Sequence, residues 1–269
     1  MPELPEVETV VRSINQSLKS NYIKTLNIFN DKLRWKIDPY TKTIASKAQI
    51  NNIYRRGKHI IFHLDKGFLI IHLGMTGIIR YSETKSYFSK EKHDHYEIIL
   101  KDNSKLIYND VRKFGSLHWT DDIDKHFLIE NLGVEPLSND FNYDYLKNIA
   151  KKRGVAIKNL IMNQNIVVGV GNIYASEALY MSGIRPNRKS KYITVNDCKK
   201  LVKSIKKVLL KSIKSGGTTL KDFASTDGKP GYFKQKLLIY NKDVTKCGQK
   251  VKVVKIGGRS SFFCPKCQK

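Results

Sequence analysis

The spacing of apolar residues changes character along the chain. In "LPEVETVVRSINQSL", Val7, Val10, Val11, Ile14 and Leu18 recur every three or four positions, which predicts an amphipathic helix near the start. Pro5 suits a first helical turn, where its missing N–H costs nothing. From about residue 22 to 120 the period shortens. "KHIIFHL", "FLIIHLG" and "HYEIILKDNSKLIYND" are short apolar or alternating runs, separated by turn signals at Asp65-Lys66-Gly67 and Asp102-Asn103. Many short strands at such spacing predict an antiparallel sandwich or barrel.

"NLGVEPLSND" (131–140) breaks the pattern and reads as an interdomain linker. Helical spacing then returns in "YDYLKNIA", "AIKNLIM", "IYASEALYMSG" and "CKKLVKSIKKVLLKSI". In the last, Cys198, Leu201, Val202, Ile205, Val208, Leu209 and Ile213 share a face, so Cys198 is expected in the core. Gly216-Gly217 ends this helix, and "GGTTLKDFASTDGKPGY" follows as a loop long enough to move. The final residues read as a small hairpin. The expected fold class is therefore α+β. It comprises an N-terminal antiparallel β-sandwich domain with flanking helices (1–130), a helical domain (131–234, with the loop 216–234) and a C-terminal β-hairpin (235–269).

Charge narrows the partner. Lys and Arg number 49 against 24 Asp and Glu, a formal net charge of +25. A Lys-rich surface accounts for part of this, but the excess favours a polyanion, with nucleic acid ahead of membrane. No apolar run is long enough for a transmembrane helix, and the acidic N-terminus lacks the apolar region of a signal peptide. Four cysteines are too few for a disulfide scaffold. Cys247, Cys264 and Cys267 cluster near the C-terminus, which points to a metal site in a reducing compartment.

Several constellations could carry chemistry. Cys264-Pro-Lys-Cys267 has zinc-knuckle spacing and Cys247 could add a third thiolate, but Val244 occupies the position of a fourth. A metal-free hairpin held by Val251, Val253, Ile256, Phe262 and Phe263 explains the same stretch. "VVGVGNIYASEAL" sets Asn172 before a helix, either as an ordinary N-cap or beside a phosphate. Met75 and Phe114, in turns between strands, are edge-of-core residue types that also wedge into base stacks, with Arg112 able to fill the gap left by a displaced base. His93 and His95 in "EKHDHYE" suit either the core or a phosphate contact. Lys58 in "RRGKHI" follows a turn glycine and could point into a cleft rather than to solvent.

The terminus "MPELPEVETV" raises a sharper possibility. Removal of Met1 would leave Pro2 as a secondary amine. An α-amine has a pKa of about 7.7–8.0, so part of it is neutral near neutrality. Such an amine can attack an electrophilic carbon and form an iminium ion, a permanent cation and electron sink. The adjacent Glu3 could move protons. A helix capped by acidic residues explains Glu3 and Glu6 but leaves Pro2 unexplained.

Taken together, "MPELPEVETV", "RRGKHI", "IHLGMTG", "EKHDH", "RKFG", "VVGVGNIYASEAL", "GGTTLKDF…DGKPGYF" and "FFCPKCQK" closely resemble the bacterial formamidopyrimidine-DNA glycosylase family, from Met1 to Lys269. The resemblance implies a β-sandwich, a helix–two-turn–helix domain and a zinc-finger hairpin, with DNA held between domains. It implies a bifunctional glycosylase and AP lyase for oxidised purines, acting as a monomer on damaged or abasic duplex DNA in the bacterial cytoplasm, at the nucleoid. By similarity Pro2 is the nucleophile, Glu3 the acid/base partner and Glu6 its support. Lys58 serves β-elimination, and Arg259 serves phosphate binding and δ-elimination. Met75, Arg112 and Phe114 match the residues filling the space left by the everted base. His93, Arg112 and Asn172 match DNA contacts, Arg153 and Lys158 supply nearby basic charge, and Glu177 matches a position near the flipped base. The segment 216–234 resembles the lid over that base. The family hairpin carries C-x2-C-x16-C-x2-C. Here Cys247, Cys264 and Cys267 fit that spacing, Val244 replaces the first cysteine, and one Zn2+ per chain is the expected cofactor. Gly154 stands where the family often has a basic residue. The nearest alternative is an endonuclease VIII-type enzyme for oxidised pyrimidines; a non-catalytic DNA-binding protein is more remote.

Overall fold

The computed structural model describes residues 2–18, 22–82, 90–218 and 233–269. Most of the loop 216–234 lies outside the described residues. The chain divides into two compact units, Met1–Glu130 with Ser215–Lys234, and Asn131–Lys214 with Gln235–Lys269. The segment 215–234, attached to the helical domain on sequence grounds, thus groups with the first unit. The hairpin groups with the helices.

In the first unit, helix α1 (Leu4–Ser17) and a short helix α2 (Pro39–Ala45) accompany eight strands. These are β1 (Ile23–Ile28), β2 (Ile50–Arg56), β3 (His59–Leu64), β4 (Gly67–His72), β5 (Ile78–Ser82), β6 (Asp94–Leu100), β7 (Lys105–Asn109) and β8 (Ser116–Thr120). They form two antiparallel four-stranded sheets, ordered β1-β6-β7-β5 and β2-β3-β4-β8. Alternation aims Leu26, Tyr96, Ile98, Leu106 and Tyr108 of one sheet, and Ile53, Ile60, Phe62, Leu69, Ile71 and Leu117 of the other, into one shared core. Helix α1 adds Val7, Val10, Val11 and Ile14 to that core and packs on β2, β3 and β5. The expected sandwich is present, and the helix that begins with the chain's terminus is part of its hydrophobic interior.

The other face of β2-β3-β4-β8 is unusual. His59 pairs with His72 across β3 and β4, their rings 5.0 Å apart, and His118 on β8 packs edge-on to Trp35 and beside His126. Burial, with a smaller contribution from neighbouring cationic and imidazole groups, pushes His59 down to about 4, His72 to about 3 and His118 to about 4. All three are neutral imidazoles at physiological pH.

The second unit contains α3 (Tyr143–Ala150), α4 (Ile157–Met162), α5 (Asn172–Ser182), α6 (Val195–Lys214) and the hairpin β9 (Lys252–Ile256)–β10 (Arg259–Phe263). Helix α6 buries Cys198, Leu201, Val202, Ile205, Val208, Leu209 and Ile213, the stripe its sequence spacing defines. Cys198 is fully buried, and burial pushes its thiol up to about 11. Helix α5 is apolar almost all round and lies among α4, α6 and β10. Among the described residues no helix is long and apolar enough to cross a membrane.

The histidine layer gives the fold a pH signature. Imidazoles with folded values near 3–4 against the ordinary 6.5 bind fewer protons folded than unfolded. Stability is then full above about 6.5 and falls as pH drops toward the folded values, by on the order of 1 kcal/mol per pH unit for the deeply buried His59. Denaturant titrations at pH 7.5 and 5 should show this loss, and His59→Phe should reduce it. A flat profile would contradict it.

Candidate functional site

In the first unit the site begins at Pro2, which is buried. Glu3 and Glu6, each 2% exposed, form a capping box on α1 in which the Glu6 carboxylate accepts the Glu3 N–H at 2.9 Å. Glu6 also accepts from Thr218, through its backbone N–H and its hydroxyl, both at 2.8 Å. Thr218 follows Gly216 and Gly217, whose φ angles of +73° and +81° carry the chain out of α6. A Cβ on Gly217 would press on Glu6 at 3.2 Å. The double glycine thus does more than end a helix, because it lets the start of 215–234 close on the terminus.

Lys58 sits in the two-residue turn between β2 and β3, after Gly57 at φ +57°. Glu8 of α1 holds this turn through Arg55. The Arg55 Nε donates to Glu8 at 2.9 Å and its Nη1 donates to the Gly57 carbonyl at 3.0 Å. Burial raises the Glu8 carboxyl, but Arg12 and Arg55 outweigh it and leave a net lowering. The Lys58 ammonium lies close enough to His59 and His72 to depress both. Helix α1 and the Lys58 turn are thereby locked together.

Met75, Arg112 and Phe114 occupy two adjacent turns, 73–77 and 110–115. Phe114 is exposed, and the Arg112 guanidinium lies 4.7 Å over its ring. The turns are stapled by a residue that sequence reasoning missed. Asp110, fully buried, accepts from the Thr76 hydroxyl at 2.5 Å, Arg112 N–H at 3.2 Å, Tyr108 OH at 3.1 Å and Gly115 N–H at 2.9 Å. Gly74 fits because a Cβ there would meet the Phe114–Gly115 backbone at 2.4 Å. His72 accepts the Gly74 N–H at 3.1 Å. His93 is half-buried at φ +75°, and its carbonyl accepts the Asp110 N–H. His95 is a core histidine between the Asp110 carbonyl and Asn30.

In the second unit two expectations change, for Asn172 and Lys158. Gly171 is the N-cap of α5, and Asn172 is its first helical residue. Lys158, expected as nearby basic charge for DNA, is fully buried; its ammonium donates to Asn172 Oδ1 at 2.5 Å, Ser261 Oγ at 2.7 Å and the Ser260 carbonyl at 3.2 Å. A buried ammonium needs such partners, so Lys158 ties the hairpin to α4 and α5. Glu177, expected near a flipped base, directs both oxygens at the N–H groups of Leu238, Ile239 and Tyr240. Burial raises its carboxyl, and those three bonds oppose the rise. Arg153 is exposed, as is Arg259 at the start of β10 after the Gly257-Gly258 turn. Asn172 Nδ2 donates to the Ser260 carbonyl at 3.1 Å, which fixes the backbone next to Arg259.

The sulfurs of Cys247, Cys264 and Cys267 all lie within 4.8 Å of one another. The Cys247 sulfur is 3.7 Å from that of Cys264 and 3.2 Å from that of Cys267. The Cys267 N–H points at the Cys264 sulfur at 3.4 Å. Three converging thiols with an N–H···S contact suit a zinc ion. Val244, in place of the fourth cysteine, is exposed.

An antiparallel sandwich that buries Pro2 at the start of α1, joined in one chain to a helical unit whose hairpin gathers three cysteines, defines the class: an α+β protein with a cysteine cluster fit for a metal ion. Three family models match in succession: the formamidopyrimidine-DNA glycosylase N-terminal domain over residues 1–117, the formamidopyrimidine-DNA glycosylase H2TH domain over 132–224, and the zinc finger found in FPG and IleRS over 245–269. Formamidopyrimidine-DNA glycosylase of Haemophilus influenzae strain PittEE is 47% identical over 272 residues, covering 100% of this chain and 99% of that one. The Histophilus somni strain 129Pt enzyme is 44% identical, with both chains covered at 100%. Among solved structures, the MutM (Fpg) protein of Thermus thermophilus superposes with a TM-score of 0.88 at 31% identity, covering 99% of this chain and 98% of that one. Lactococcus lactis Fpg in complex with DNA containing an abasic site superposes at 0.89 and 32% identity, with 99% of each chain covered. The chain belongs to the formamidopyrimidine-DNA glycosylase family.

Asp110→Asn turns one acceptor oxygen into a donor facing donors. It should cost about 1–3 kcal/mol of stability and speed hydrogen exchange at the Arg112 and Gly115 amides. Unchanged exchange there would show that Asp110 does not hold the two turns.

Proposed function

We propose that this protein is a bifunctional DNA glycosylase and AP lyase that excises oxidised purines, 8-oxoguanine and formamidopyrimidines, from duplex DNA. The observation that carries the reading is the buried Pro2–Glu3 start of a helix whose cap is built into the sandwich. Membership of the family and the DNA-bound lactococcal neighbour support it.

Loss of Met1 frees the Pro2 amine. The damaged nucleotide leaves the stack, because a buried amine cannot reach C1′ inside a duplex. Met75, Arg112 and Phe114 fill the vacated space. Pro2 nitrogen bonds to C1′, the N-glycosidic bond breaks, and its electrons leave with the base, which takes up a proton. Opening of the sugar ring gives the iminium, and Glu3 moves the proton this requires. Glu6 holds Glu3 and the terminus in place. The iminium acidifies C2′–H. Loss of that proton breaks the C3′–O bond, assisted by Lys58, and a second elimination breaks C5′–O, assisted by Arg259. His93, Asn172, Arg153 and Arg259 contact the phosphate backbone. Cys247, Cys264 and Cys267 would hold one Zn2+, which would serve as a structural cross-link for the hairpin that carries Arg259. The enzyme works as a monomer in the cytoplasm, on nucleoid DNA.

Borohydride should trap a covalent protein–DNA adduct on an 8-oxoguanine duplex, and a variant that retains Met1 should trap none. Trapping by that variant would overturn the terminal-amine mechanism, and faster excision of thymine glycol than of 8-oxoguanine would move the substrate class to oxidised pyrimidines. Arg259→Ala should weaken damaged-DNA binding and reduce the salt slope of log K by about 1, with folding intact. An unchanged slope would remove Arg259 from the phosphate contacts.

A further inference from the structure

The hairpin lacks one of the four cysteines its family pattern uses, and a buried hydroxyl lies beside the sulfurs that remain. Val244, the position that would complete C-x2-C with Cys247, is 56% exposed and bridges to Lys250 on the outside of the turn. The next residue, Thr245, is 5% exposed. Its Oγ1 lies 3.0 Å from the Cys247 sulfur and 3.9 Å from the Cys264 sulfur. In a tetrahedral zinc site with Zn–S near 2.3 Å and Zn–O near 2.1 Å, sulfurs stand about 3.8 Å apart and an oxygen about 3.6 Å from each. The Thr245 distances bracket that oxygen separation; the Cys247–Cys264 separation of 3.7 Å fits the sulfur one, and Cys247–Cys267, at 3.2 Å, would open by about 0.6 Å to seat the ion.

The hydroxyl is also oriented for the role. Thr245 Oγ1 lies 3.2 Å from the Gln249 carbonyl and can donate its proton there, which leaves lone pairs free toward the sulfurs. The backbone fixes it from both sides. Thr245 N–H donates to the Gln249 carbonyl at 2.9 Å, and Gly248, at φ +77°, returns its N–H to the Thr245 carbonyl at 3.0 Å.

We infer that Thr245 supplies the fourth ligand of the hairpin zinc, giving a three-thiolate, one-hydroxyl site in place of four thiolates. This rests on the hairpin holding zinc, as proposed above. A neutral hydroxyl is a weaker zinc donor than a thiolate, so the ion exchanges faster here than at a four-cysteine site.

Zinc K-edge X-ray absorption on the purified full-length protein tests the ligand set. The expected first shell is three sulfurs and one oxygen. Thr245→Cys should convert it to four sulfurs, and Thr245→Ser should leave it unchanged. Thr245→Val should lose zinc to a chromogenic chelator about tenfold faster or more, the scale of loss that even an outer-shell change produces. Zinc retained in a three-sulfur shell in Thr245→Cys, or a wild-type release rate in Thr245→Val, would overturn the ligand assignment alone. Wild-type protein free of zinc would overturn the metal reading with it.

Discussion

The Glu6 carboxylate, buried at the first turn of α1, accepts three hydrogen bonds: from Glu3, which follows Pro2, and twice from Thr218. A carboxylate is costly to bury without donors, so those three contacts are what allow a charged group to sit in the interior beside the terminus. They impose two constraints together. The chain's first residues must run into the sandwich rather than fray, and the stretch after α6 must return to meet them. Chain termini are ordinarily among the least ordered parts of a domain, and a proposed nucleophile at position 2 needs the opposite.

The same device recurs. Asp110 staples the turns that carry Met75, Arg112 and Phe114, and Glu177 gathers the N–H groups of residues 238–240. Lys158 does the converse, donating from the interior to Asn172 and the hairpin. The carboxylates of Asp110 and Glu177 organise irregular backbone that has no ladder of its own, while Lys158 ties helix α5 to strand β10. In a low-dielectric interior such bonds are strong, and a missing partner is expensive. The segments proposed to meet DNA are thus anchored from behind, while Arg112, Phe114 and Arg259 stay exposed.

The regular part of this architecture is legible in the chain. The stripes of α1 and α6 follow from helical period, and the strands follow from alternation and turn residues. Pro2, Lys58 and the turn residues stand out because their types are costly or odd where they occur. What escaped the reading shares one physical trait. Asp110, Thr218, Thr245 and the buried state of Lys158 and Glu177 depend on single side chains bonding to backbone or side chains far along the chain or in irregular turns, and such bonds leave no period. Sheet order is invisible for the same reason: β1 pairs with β6, not with its sequence neighbour.

The central claim is that the catalyst is the secondary amine of Pro2, exposed when Met1 is removed and held by Glu3 and Glu6. Peptide mapping by mass spectrometry of the borohydride-reduced adduct locates the bond directly. The account predicts the deoxyribose remnant on the peptide that begins at Pro2, attached at its terminal nitrogen. A remnant on Lys58 or any other lysine, with the Pro2 peptide unmodified, would contradict it.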